Sequence, residues 1–395
     1  MIDRLTLHNF KAFQHMELPL GPLTLLTGLN SSGKSSVLQS IALLRQSHEA
    51  GDLEVSRYLP EARKTGLRTA VLNQGFLLNG ELVGLGTGVD VLHEDFAEDE
   101  PRIGLGVTEG PYRYGWTAAY EAEQNLLPLL DVDLPLTSEG AAAPTGPEAV
   151  TPSFLTAPFQ YLHADRISPA EFYPRDHHAA VGRGFLGVRG EHTVNFLRHH
   201  AGDTVPAGPL HHRKAASDLL RDQAAAWMGD LCPGVDIQAE PIEGVDAVRL
   251  SYGFQGTLGP TRRRRPSHVG FGLTYVLPVV VACLTARPGS LVLLENPEAH
   301  LHPQGQTRMA ALAAAAAAQG AQVIMETHSD HIINGVRLAV KQGPIAPEQT
   351  VFHYFRGDGT GVEVVSPRID ADGMLDQWPT GFFDELENTL DQLIG

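Results

Sequence analysis

The segment Gly28-Leu29-Asn30-Ser31-Ser32-Gly33-Lys34-Ser35 constrains this chain more than any other stretch. It matches GxxxxGK[ST] at every fixed position, and a short apolar run, Leu23–Thr27, stands directly before it. After it, VLQSIALLRQ (37–46) has its apolar residues at helical spacing. Strand, glycine loop and helix, in that order, let backbone N–H groups and a helix N-terminus wrap a phosphate. Lys34 is then expected to reach the β- and γ-phosphates, and the Ser35 hydroxyl to ligate Mg²⁺. A plain Gly/Ser-rich turn is the alternative, and the flanking strand and helix weigh against it.

A phosphate loop needs an acid for its metal. Ser290–Leu294 is an apolar run closed by Glu295, with Asn296-Pro297-Glu298 next. That pattern puts a carboxylate at the C-terminal end of a buried strand, where α/β sheets hold their ligands. One strand later, Glu326-Thr327-His328-Ser329 offers a histidine at a strand end. His328 is expected to contact the γ-phosphate or orient a water, with a solvated loop histidine as the alternative.

The rest of the chain reads as follows. Residues 2–7 alternate as a half-buried strand does, and 71–89 reads as strand and turn with a hairpin signal at Asn79-Gly80. EGAAAPTGPEAVTP (139–152) reads as a flexible loop, 191–231 as helical, and 245–253 as a strand. An Ala-rich helix from Met309, a strand at 321–327 and a helix from His328 complete the pattern. The expected divisions are 1–93 (first half of the domain, with the phosphate loop), 94–158 (acidic, loop-rich insertion), 159–260 (middle helical and strand subdomain), 261–367 (second half) and 368–395 (acidic tail).

Charge limits the partners. The formal net charge is −17, which repels duplex DNA unless a basic face is segregated. The imbalance is local, however. Residues 90–139 hold 12 acids and 2 bases, and 369–395 hold 7 acids with no Lys or Arg, so everything else is neutral. DNA therefore stays open as a partner, and the acids are expected on a solvated face or a docking surface for a basic partner. Two cysteines, Cys232 and Cys283, fit a reducing cytoplasm and give no disulfide framework. The start MIDRLTLHNFKAF has no signal-peptide core. The longest apolar stretches, near 273–286 and 309–318, fall short of the roughly 20 residues of a membrane span. A cytoplasmic protein with no membrane partner is expected.

Together these pieces resemble the ABC-type ATPase heads of the SMC, RecF and OLD group. More narrowly, they resemble bacterial AAA-family ATPases that end in a small domain of unknown function. The residues that carry the likeness are Asn9-Phe10-Lys11, GLNSSGKSS, LLENPEAHLHP, ETHSDHII and the closing Trp378-Pro379-Thr380-Gly381-Phe382-Phe383-Asp384-Glu385. It is dense over 1–50, 71–93, 159–200 and 267–395, and thin over 94–158 and 201–260. The resemblance implies an α/β, ABC-type P-loop head: a mixed sheet with helices on both faces and an inserted α/β or helical subdomain. It implies a homodimer with ATP and Mg²⁺ sandwiched between heads. Gly28, Asn30, Ser31, Gly33, Lys34, Ser35 and Ser36 would hold ATP, with Lys11 a basic residue near it. Ser35 and Glu295 would take the metal, Ala299–His302 the D-loop, and His328 the switch position.

Two departures matter. ABC-type heads carry a catalytic Glu directly after the metal acid, and here that place is Asn296, which accepts no proton at neutral pH. Either Glu298 acts as the base, or turnover is slow and bound ATP is a long-lived clamp. The signature loop is degenerate: Ser267-His268-Val269-Gly270-Phe271-Gly272, with Gly270 and Gly272 expected to offer N–H groups to the partner's nucleotide. The implied function is an ATPase whose dimerisation switches an effector or a nucleic-acid clamp, in anti-phage defence or DNA maintenance. No nuclease motif or Toprim-like extension is evident, so the effector, a nuclease among the candidates, is expected on a separate protein. A nucleotide-gated scaffold or sensor with little turnover is the second reading, and a transporter subunit a third. Arg262–Arg265 reads as a phosphate-contacting or solvated run, and Asp165-Arg166 as a sensing loop or an internal ion pair. His300 and His302 read better as D-loop than as a metal cluster.

Overall fold

The computed structural model describes residues 1–53, 74–96, 99–136, 151–256, 259–357 and 361–379, with 389, 392 and 393. Most of the loop read at 139–152, and Gly381–Glu385, lie outside these described residues. The chain forms two compact units. The first is Met1–Gly21, Leu29–Ala157 and Phe355–Val364; the second is Pro22–Gly28, Pro158–Tyr354 and Val365–Gly395.

In the first unit, β1 (Arg4–Phe10) and β2 (Phe13–Pro19) form an antiparallel hairpin. The chain passes through β3 (Leu23–Gly28) of the second unit and returns as α1 (Lys34–Glu49). Next come β4 (Gly75–Leu77), the turn α2 (Gly88–Val91), β5 (Arg102–Glu109), β6 (Tyr112–Ala119) and β7 (Leu126–Leu136). They make one sheet in the order β2-β1-β5-β6-β7-β4. Asn79-Gly80 closes only an isolated bridge between Asn79 and Gly84, not a two-stranded hairpin.

The expectation of a loop-rich insertion over 94–158 is thus corrected between 102 and 136. Ile103, Leu105 and Val107 on β5, and Tyr114, Trp116 and Ala118 on β6, are all buried. Leu105 stands opposite Trp116 and Val107 opposite Tyr114, so the apolar face is continuous across the pair. Asp131 and Asp133 are exposed on β7, and the one buried acid of β5, Glu109, accepts from the Ser153 N–H and hydroxyl. Net charge is silent about a face that alternation buries.

The second unit continues with β8 (Phe159–Leu162), β9 (Tyr173–Pro174), α3 (Thr193–His200) and α4 (Leu220–Leu231). β10 (Val235–Pro241), β11 (Ala247–Gly256) and β12 (Gly259–Pro260) form a small antiparallel sheet with β9 on β11. Then come α5 (Phe271–Thr285), β13 (Leu291–Glu295), α6 (Pro303–Ala318), β14 (Gln322–Glu326), α7 (Asp330–Gln342) and β15 (Thr350–Gly357). With β16 (Val362–Val365) at its edge, the main sheet runs β16-β15-β3-β14-β13-β8, and its last four strands are parallel. Parallel strands are covered on both faces, which is why Leu23–Thr27, Leu291–Leu294 and Gln322–Glu326 are buried along their length.

Helix α5 is buried from Leu273 to Leu284 and belongs to the core of this unit. Among the described residues no helix is long and apolar enough to cross a membrane. The Ala-rich α6 lets α7 approach closely: a Cβ on Gly335 would lie 2.6 Å from the Ala310 Cβ.

Candidate nucleotide site

One candidate group of residues is the loop after β3. Gly28 (φ 127°), Ser31 (φ 60°) and Gly33 (φ 92°) are left-handed, a conformation that turns neighbouring N–H groups to one side. No side chain fits at Gly33, because a Cβ there would lie 2.5 Å from the Phe13 Cζ and 2.9 Å from the Ala12 Cβ. Helix α1 starts without a side-chain cap and without an acid in its first turn. Its positive end therefore suits an anion from outside the protein.

Lys34 is buried, 2% exposed, and its Nζ donates to the Leu29 carbonyl at 2.5 Å. The Ser32 hydroxyl donates to the same carbonyl at 2.7 Å, and the Ser36 N–H to the Gly33 carbonyl at 3.0 Å. Asn30 and Ser31 are exposed, and Ser35 is half-buried on the first turn of α1. Lys11, left-handed at φ 50°, donates to the Gln39 Oε1 on α1 at 2.8 Å. Burial lowers its pKa, and Asp90 opposes that. An uncapped helix, a left-handed loop and an enclosed lysine are donors that suit a phosphate group.

A separate candidate group is the carboxyl edge of the main sheet, in the second unit. Glu295 pairs in register with Glu326, and Glu326 with Leu26, so three parallel strands end together there. The Glu295 Oε1 accepts from the Tyr161 hydroxyl at 2.5 Å, and Oε2 from the Ala164 N–H at 2.9 Å. Burial, then the Glu295 charge, pushes the Tyr161 pKa well up, so its O–H stays a donor. Each carboxylate oxygen keeps a further lone pair, which leaves room for a cation.

Glu298 is 6% exposed. Its Oε1 accepts from the Thr327 hydroxyl at 2.7 Å and the His328 N–H at 3.0 Å, while Oε2 is buried without a partner. Burial raises its pKa; those hydrogen bonds and the charge of Arg166 pull the other way. Asn296 is left-handed at φ 44°, and its Oδ1 is likewise buried without a partner. The His328 ring is 38% exposed, with Nε2 3.9 Å from a Glu326 oxygen. Glu295, Glu298 and His328 are therefore gathered at one edge, and two orphaned oxygens mark it as polar ground awaiting a donor.

Gly270 precedes α5, which also has no side-chain cap. A Cβ on Gly272 would lie 2.6 Å from the His300 carbonyl, so this glycine lets the loop abut the Ala299–His302 turn. The rings of Phe271 and Tyr275 each stand 4.8 Å from that of His300. Gly270, Gly272, His268, His300 and His302 border a cavity of about 400 Å³. In the arginine run, Arg263 pairs with Asp236 and Arg265 with Glu171, both at the surface, where such pairs contribute little.

Sequence reasoning missed the role of Arg166. Asp165 pairs instead with Arg189 at 3.1 Å. Arg166 is 2% exposed and donates to main-chain carbonyls. The only signal was an arginine shortly after an apolar strand.

Residues 1–81 match the family described as "AAA ATPase domain", and 228–334 the family described as "AAA domain, putative AbiEii toxin, Type IV TA system". Residues 345–393 match a "Protein of unknown function (DUF3696)". A curated relative, the OLD nuclease of Thermus scotoductus, is 43% identical over 44 residues, 11% of this chain and only 8% of that protein. An SMC head bound to the C-terminal winged-helix domain of ScpA aligns over 93% of this chain and 98% of its own, with 14% identity and a TM-score of 0.51. The SMC head of Thermotoga maritima covers 92% and 98%, with 12% identity and a TM-score of 0.43. Two separate segments of the chain thus match AAA-type ATPase families, and its fold is similar to that of an SMC head.

Proposed function

We propose that this chain binds Mg-ATP at Gly28–Ser36 and hydrolyses it, and that two copies close on two nucleotides to switch a separate effector or a nucleic-acid clamp. The observation that carries this reading is the phosphate loop. It is left-handed at Gly28, Ser31 and Gly33, closed around a buried Lys34, and open at an uncapped α1. Lys34 and the loop N–H groups bind the β- and γ-phosphates. Ser35 and Glu295 would hold Mg²⁺, which would offset phosphate charge. Tyr161 and the Ala164 N–H hold the two oxygens of the Glu295 carboxylate.

Glu298 takes the proton of the attacking water at Oε2, held in place through Oε1 by Thr327 and the His328 N–H. His328 orients that water or the γ-phosphate, and Lys11 adds positive charge. Gly270 and Gly272 offer their N–H groups to the partner copy's nucleotide, giving an isologous dimer. Anti-phage defence or DNA maintenance is the setting the OLD and SMC likeness suggests, with a nuclease among the candidate effectors.

A second reading, a nucleotide-gated scaffold with little turnover, is favoured by Asn296 in the catalytic place and by the enclosure of Glu298. Steady-state phosphate release separates the two. A clear wild-type rate that Lys34→Ala and Glu298→Gln each abolish supports the enzyme. Tight ATP binding with no wild-type rate supports the scaffold.

A further inference from the structure

Arg166 is a buried cation that, among the described residues, bonds to main-chain carbonyls and to no carboxylate. Its Nη1 donates to the carbonyls of His163 at 2.9 Å and Glu295 at 2.6 Å. Its Nη2 donates to the Asn296 carbonyl at 2.7 Å, and its Nε to the Tyr275 carbonyl at 3.2 Å. The guanidinium lies over the Tyr275 ring, 4.2 Å from its centroid. The Tyr275 hydroxyl in turn donates to the carbonyl of Ala164, whose N–H holds Glu295. A rigid planar fork suits several fixed acceptors at once, which a lysine ammonium does not reproduce.

The segments so tied are the loop after β8, the end of β13 with the left-handed Asn296, and the start of α5. Tyr275 stands five residues after Gly270, and its ring contacts His300 of the Ala299–His302 turn. Burial lowers the Arg166 pKa, against the charges of Glu298 and Glu295. Burying a guanidinium is costly, and these carbonyl acceptors offset that cost.

We propose that Arg166 is a positioning residue that locks the Glu295-Asn296 turn to the Gly270–Gly272 loop through Tyr275, so that nucleotide bound at the acid edge sets the conformation of the glycine loop. This rests on the nucleotide reading above.

The test compares wild type, Arg166→Lys and Arg166→Met for binding of a fluorescent ATP analogue, phosphate release, and hydrogen exchange at 269–275 with and without Mg-ATP. Both variants are expected to bind within about threefold of wild type, with kcat reduced about tenfold in Arg166→Lys and more in Arg166→Met. ATP-induced protection of Gly270–Leu273 is lost in both. Wild-type kcat and protection in Arg166→Lys overturn the coupling, as does a loss of binding that alone accounts for the loss of rate. If Arg166→Met does not fold, Arg166→Lys decides, since it keeps the charge. A wild type that binds no ATP overturns the nucleotide reading and the coupling with it; a wild type that binds, with variants like it, overturns the coupling alone.

Discussion

At Glu298 burial and hydrogen bonding pull in opposite directions, and burial prevails. The folded protein holds this proton more tightly than the unfolded chain does. Its contribution therefore favours folding below the ordinary value of 4.5 and is lost as pH rises through the raised folded value. Glu298→Gln keeps an acceptor for Thr327 and His328 and removes the titration. Thermal melting is expected to show wild type and variant converging near pH 4.5 and the variant gaining as pH rises. Parallel curves across that range count against the raised pKa. Gly33 makes a second prediction at this scale. Gly33→Ala is left-handed and meets Phe13 and Ala12, so a loss of about 1–3 kcal/mol is expected in denaturant unfolding. The loop residues were legible because GxxxxGK[ST] fixes backbone and chemistry together. Arg166 was not, because its partners are carbonyls, which every residue carries and no side-chain pattern announces.

Among the elements, the apolar runs that end in Gly28, Glu295 and Glu326 were legible as buried strands, since a parallel sheet covered on both faces leaves a continuous apolar signature. The helices from Met309 and His328 were legible too, and Ser329 caps the latter by accepting from the His331 and Ile332 N–H groups. The strands β5–β7 were masked by their acids, although Ile103, Leu105 and Val107 alternate plainly. Because β1 pairs with β5, deleting 102–136 is expected to unfold the first unit in a proteolysis assay, not to trim a loop. A deletion that leaves protease resistance of residues 1–50 unchanged would contradict this. Gly272 sits where α5 meets the His300 carbonyl. Gly272→Ala is expected to lower stability by about 1–3 kcal/mol through overpacking, read as a lower denaturant midpoint.

For the whole molecule, the charge of −17 resides in two stretches and leaves the rest neutral. Net charge is thus a poor guide to what the head can bind. The proposed assembly is two heads closed on two nucleotides. Glu298→Gln with Mg-ATP is expected to run at twice the monomer mass in sedimentation, and Lys34→Ala to remain monomeric. The most direct test of the central reading is equilibrium binding of Mg-ATP to wild type and to Lys34→Ala. Saturable binding to wild type, weakened at least about 100-fold in the variant, is the predicted result; one lost phosphate contact of about 3 kcal/mol gives that ratio. No binding to wild type, or equal binding to both proteins, would contradict it.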